Sequence, residues 1–226
     1  MPIFRLTEEL VFPHPSLAED EGVLAVGGDL SVDRLLLAYK NGIFPWYSDN
    51  QPIIWWSPDP RFVLFPKKIK ISKSMKKVIR KNIFKITYDN CFSEVINKCM
   101  ELRIDSTWIT DEMLIAYINL HKMGFAHSVE VWKNNKLVGG LYGVSIGKCF
   151  FGESMFSTES NSSKYALIHM AKKLDERDFL IIDCQQETEH LRTLGSESIP
   201  REAFLNIIKE GTNASSFASN WRIMND

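Results

Sequence analysis

The chain has 226 residues, 45% of them apolar and 12% aromatic, which is enough to bury a real core as one or two domains and excludes disordered and fibrous classes. Net charge is −1, and the apolar runs are only a few residues long. The opening MPIFRLTEEL lacks both a basic n-region and an extended apolar h-region, so a soluble cytoplasmic protein without membrane contact is expected.

The small net charge hides a strong asymmetry. Residues 1–60 carry −6, residues 61–81 carry +9 with no acidic side chain, and the remainder carries −4. Lys67, Lys68, Lys70, Lys73, Lys76, Lys77, Arg80 and Lys81 fall in the basic block. Two readings compete for them: a solvated helix face, or contacts to a phosphate backbone favoured by counterion release. Aromatic residues do not interleave with the block, which gives no support to stacking on single-stranded bases. Cys91, Cys99, Cys149 and Cys184 form no CxxC pair and the five histidines are scattered, so free thiols and no metal site are expected.

In chain order, residues 1–61 are rich in Pro, Gly and Trp and read as a small N-terminal domain of turns and short extended pieces. One helix stands out there, capped by Ser31 and stopped by Gly42. Trp46, Trp55 and Trp56 are too bulky for casual surface positions, and an aromatic core is the plain account of at least one. From residue 62 to 226 the pattern changes. A basic helix around Lys73–Lys81, a strand in IFKITY, a helix from Cys91 to Leu102 and a helix capped by Thr110 and ended by Gly124 come first. Then AHSVEVW, LVGGLYGVS and CFFGESMF, joined by KNNK and IGK, read as a three-stranded antiparallel meander. A helix from about Ser163 to Glu176, a strand from Phe179 to Asp183, a short helix to Leu194 and the Pro-started PREAFLNIIKEG close the chain.

This is an α+β order with a mixed sheet, not strict βαβ alternation. It resembles the GNAT class of acyltransferases, in which the meander splays from the next strand and the donor enters the cleft. The strand FLIID stops on a carboxylate, Asp183, with the amide of Gln185 two residues on. On an extended segment these two side chains share a face, with Cys184 turned into the core. Asp183 has two readings, a cap for the short helix that follows or a functional acid.

The motifs AVGGDLS, GIFPWY, PIIWWSPDPR, HSVEVW, LVGGLYGV, GESMFS, SSKYAL, DCQ with a following HL, and TLG stand in one order across nearly the whole chain. Together they resemble the leucyl/phenylalanyl-tRNA–protein transferase family. The resemblance implies transfer of Leu or Phe, and Met in some cases, from aminoacyl-tRNA to the α-amino group of proteins beginning with Arg or Lys, which marks them for N-degron proteolysis. It implies a monomer with no cofactor and no metal, the charged tRNA being a co-substrate. By the same resemblance Asp183 and Gln185 are catalytic, with the Gln185 carbonyl holding the amine and Asp183 orienting that amide. Glu153 binds the cationic side chain of the acceptor, its plainer alternative being a salt bridge within the chain. The transferred side chain would sit among Phe150, Gly152, Met155 and Ser157, ringed by Trp46, Trp108, Leu141, Leu167 and Ile182. Strict alternation cannot put Phe150 and Met155 on one face, so a bulge is expected near Gly152.

Other classes fit less well. An acetyl-CoA-dependent GNAT enzyme wants a QxxGxG-like loop where this chain has STESNSS, and a serine hydrolase wants GxSxG where it has GESMF. A non-catalytic tRNA-binding module accounts for the basic block but leaves Asp183, Gln185 and Glu153 unexplained.

Overall fold

The computed structural model describes residues 3–102, 109–215 and 220–225. Its first part contains β1 (Phe4–Leu6), β2 (Val23–Gly27), α1 (Val32–Lys40), β3 (Phe44–Pro45) and β4 (Ile54–Trp56). The four strands form a small sheet in the order β1-β2-β4-β3. Ser31 caps α1 by accepting from the Arg34 amide, as the sequence predicts. Trp55 is fully buried against Phe12 and donates its indole N–H to the Gly27 carbonyl at 2.8 Å, so it belongs to the aromatic core.

The second part contains β5 (Arg61–Leu64), α2 (Lys73–Lys81), β6 (Lys85–Tyr88), α3 (Phe92–Glu101), α4 (Asp111–Lys122), β7 (Ala126–Lys133), β8 (Lys136–Ile146), β9 (Cys149–Ser157), α5 (Ser162–Asp175), β10 (Ile181–Gln185), α6 (Glu189–Arg192), β11 (Glu197–Ile199) and α7 (Arg201–Asn213). Seven strands form one sheet in the order β11-β5-β10-β9-β8-β7-β6. The expected meander is its antiparallel centre, and β10 joins β9 in parallel, which makes the sheet mixed. Thr110 caps α4 through the Met113 amide, and the chain leaves that helix through Gly124 at φ +80°.

Alternation along the central strands divides the core between two faces. Leu141, Phe150 and Ile182 join α5 and α6 on one side, whereas Tyr142, Phe151 and Ile181 join α3, α4 and the N-terminal sheet on the other. Two features depart from the sequence reading. The strand expected at Phe179–Asp183 is displaced to Ile181–Gln185, because the Phe179 amide still bonds back to Leu174 and finishes α5. Arg61–Leu64 is a strand of the large sheet, inserted between β10 and β11.

Candidate active site

The parallel ladder between β9 and β10 ends where Phe151 stands opposite Asp183. At this point a cavity of about 670 Å³ opens. Phe150, Gly152, Met155, Ser157, Trp46, Leu141, Leu167 and Ile182 line it together with Glu153, Asp183 and Gln185. Trp108 lies outside the described residues. The expected bulge is present: Tyr142 pairs with Ser154 and Gly143 with Gly152, which leaves Glu153 as the extra residue of β9. That insertion restores parity between Phe150 and Met155 and lets both line the same recess.

Freed from the ladder, Glu153 is 8% exposed and meets three groups. The Tyr39 hydroxyl lies 2.8 Å from Oε1, the Tyr117 hydroxyl 2.7 Å from Oε2, and the Gln185 Nε2 donates to Oε1 at 3.0 Å. The two tyrosine hydroxyls also touch each other at 2.5 Å. Three oxygen–oxygen contacts thus close a ring, while the phenols hold only two protons between them. A third proton on Glu153 completes it. Burial acts in the same direction and pushes the carboxyl from its ordinary 4.5 up to about 7, against the opposing pull of the tyrosine hydroxyls. None of Glu153's partners is Lys or Arg among the described residues, so the internal salt bridge is not formed.

An acid whose folded value is raised contributes stability that is full below about 4.5 and lost as pH rises through about 7. The wild type is therefore expected to lose about 3 kcal/mol relative to Glu153→Gln between pH 4.5 and pH 8. Urea unfolding of both proteins across that range measures the difference. A difference that stays constant with pH would mean that Glu153 does not titrate there.

Asp183 is fully buried and its carboxylate is clasped by Arg61, with Nε to Oδ1 at 2.8 Å and Nη2 to Oδ2 at 2.7 Å. The guanidinium is itself 1% exposed and lies between the rings of Phe44 and Phe204, 4.7 and 4.6 Å from their centroids. Oδ1 also accepts the backbone N–H of Gln185 at 2.9 Å. This last bond bends the strand: Gln185 takes φ +63°, and the pairing of β10 with β5 shifts between Asp183 and Gln185. Two expectations are corrected here. Asp183 and Gln185 do not project side by side from an extended segment, because the bulge turns the Gln185 side chain to Glu153. Asp183 orients the backbone of Gln185, whereas its side-chain amide is held by Glu153.

Asp183 is not a helix cap, since Thr188 accepts the Leu191 amide at the start of α6. Cys184 is half-buried: it packs against the cluster that holds Ile182 and Leu191 but also lines the cavity beside Asp183 and Gln185, so it is not turned wholly into the core as expected, and burial pushes its thiol up to about 12. Arg61 carries no local signal, its partner being 122 residues away. Tyr39 and Tyr117 were legible only as apolar-face positions of their helices.

The basic block occupies one surface. Lys73, Lys76, Lys77, Arg80 and Lys81 are exposed along α2, which buries only Met75, and Lys67, Lys68 and Lys70 are exposed just before it. The block is tied to the cavity rim: the Lys70 amide donates to the Leu194 carbonyl, about one turn along the chain from His190 and Leu191 in the cavity wall. Gly195 is required at this crossing, because at φ +99° a Cβ would stand 2.9 Å from the Lys68 carbonyl oxygen.

Residues 63–209 match the leucyl/phenylalanyl-tRNA protein transferase family, and residues 28–59 match that family's N-terminal domain. The chain belongs to this family. Leucyl/phenylalanyl-tRNA–protein transferases similar to it include that of Syntrophobacter fumaroxidans, 55% identical over 93% of this chain and 91% of the relative. That of Syntrophus aciditrophicus is 53% identical over 98% and 94%. Among solved structures, a ribosomal-protein-alanine N-acetyltransferase from Brucella melitensis biovar Abortus 2308 is similar over 48% of this chain and 85% of its own, at 13% identity and TM-score 0.35. Arg61 falls in the short gap between the two matched stretches, although its carboxylate partner lies within the larger one. No helix among the described residues is long and apolar enough to cross a membrane.

Proposed function

We propose that this member of the transferase family moves Leu or Phe, and Met in some cases, from aminoacyl-tRNA to the α-amino group of proteins that begin with Arg or Lys, as a cytoplasmic monomer marking them for N-degron proteolysis. The observation that carries this reading is Gln185: its amide N–H is committed to Glu153, which leaves its carbonyl as an acceptor beside an apolar recess. An α-amino group with a pKa of roughly 7.7–8.0 needs little more than a positioned acceptor to attack an activated ester. The nitrogen forms a bond to the ester carbonyl carbon, the bond from that carbon to the ribose oxygen breaks, and the amine proton ends on that oxygen. Energy comes from the ester, so positioning is the main demand.

In this account Gln185 receives the amine N–H, and Asp183 with Arg61 fixes the bulge that presents it. Glu153 takes the acceptor's cationic side chain, whose arrival favours the ionised carboxylate. Phe150, Met155, Leu141, Leu167 and Ile182 supply the apolar side chains of the pocket, which Trp46, Gly152 and Ser157 also line. The test is transfer from Phe-charged tRNA to a peptide beginning with Arg, run beside the same peptide acetylated at its N-terminus. Product with the free peptide alone supports the reading, and retention of tRNA without transfer to either makes the chain a binding module.

The basic surface supports tRNA as the donor. Lys73→Glu together with Lys77→Glu is expected to weaken tRNA retention and to reduce the slope of log K against log salt by about two. An unchanged slope would remove α2 from the interface.

A further inference from the structure

The C-terminal segment after α7 stands outside every site described above, yet it reaches the pocket's back wall. Trp221 is fully buried and its ring lies 5.4 Å from that of Phe150, tilted by 31°. Phe150 lines the recess. On the neighbouring strand, Gly143 leaves open the space that Phe150 fills, since a Cβ there would stand 2.6 Å from Phe150 Cζ. The Phe150 ring thus lies against the bare backbone of Gly143 and beside the Trp221 indole.

Trp221 is fixed in its turn. The His127 ring stacks on it at 4.4 Å and 5°, its backbone N–H donates to Asp89 Oδ2 at 2.8 Å, and the Arg222 Nε donates to the Asp89 carbonyl at 2.9 Å. Asn225 completes the clamp, accepting the Tyr88 N–H at 2.7 Å and donating to the Tyr88 carbonyl at 3.1 Å. The Trp221 indole N–H has no hydrogen-bond partner among the described residues. A buried donor left unpaired is costly, so the position uses the bulk of the indole and not its polarity.

We propose that Trp221 is a specificity-determining positioning residue, setting the depth of the side-chain recess by holding Phe150 forward. The proposal rests on the reading of the cavity as the pocket for the transferred residue. Its consequence concerns size: with the indole present the recess ends at Phe150, and without it Phe150 turns back and a larger side chain enters.

The experiment charges one tRNA body with Leu, Phe or Trp, so that only the esterified side chain differs, and measures transfer to a peptide beginning with Arg. Trp221→Ala is expected to raise the Trp-to-Leu ratio of kcat/KM about tenfold, the scale of apolar size discrimination. Trp221→Phe, which keeps an apolar ring and the backbone clamp, is expected to raise it about threefold, and it carries the test should the alanine form not fold. Loss of all three activities by one common factor, with the ratio unchanged in the folded phenylalanine form, would overturn the proposal and leave Trp221 as plain support. Absence of transfer by the wild type would instead overturn the assigned function.

Discussion

Arg61→Ala is expected to cost about 3–5 kcal/mol of stability and to abolish transfer. Removing the guanidinium strands a carboxylate that is fully buried, and no other cation approaches Asp183 among the described residues. It also empties the space between Phe44 and Phe204. Lysine is no remedy, because a single ammonium cannot span both oxygens or lie flat between the rings. The double variant Arg61→Met, Asp183→Leu separates the two consequences. It replaces a buried ion pair with apolar groups of similar size, which is commonly neutral or stabilising, so urea unfolding should return near the wild-type midpoint. Transfer should not return, because the Gln185 N–H has lost the oxygen that bends β10. Recovered activity in the double variant would show that the bulge does not depend on Asp183.

The second large effect concerns Gln185 itself. Gln185→Ala keeps the backbone bond to Asp183 but removes the carbonyl to which the amine is assigned. Turnover is expected to fall by about 10²–10⁴, the usual contribution of a positioned acid–base group, while retention of charged tRNA is unchanged. A filter-binding measurement beside the transfer assay distinguishes this from misfolding. Loss of both would place Gln185 in the scaffold.

The sequence disclosed the inventory of the site better than its wiring. The family resemblance put Phe150 and Met155 in one recess, and because strand alternation forbids that at their separation, it called for a bulge beside Gly152, which the β8–β9 pairing contains. The caps at Ser31 and Thr110 and the meander follow from local chemistry and were legible for that reason. The geometry of Asp183 and Gln185 was not, since alternation presumes an extended chain and Gln185 stands at φ +63°. What sets that angle is a carboxylate anchored by Arg61, a contact between distant parts of the chain that no local pattern encodes. Glu153 was visible as an acid in an apolar strand, but its tyrosine partners come from two separate helices. The tail carrying Trp221 has no periodicity at all, and its role emerges only when the Phe150 ring is seen to need a backstop.

The most direct measurement of the central claim is a crystal structure with a non-hydrolysable phenylalanyl-adenosine, its ester replaced by an amide. The account predicts the phenyl ring between Phe150, Met155 and Leu167, with the acyl carbonyl carbon within one amine's reach of the Gln185 carbonyl. A ligand whose ring lies outside that recess, or whose acyl group is remote from Gln185, would contradict it.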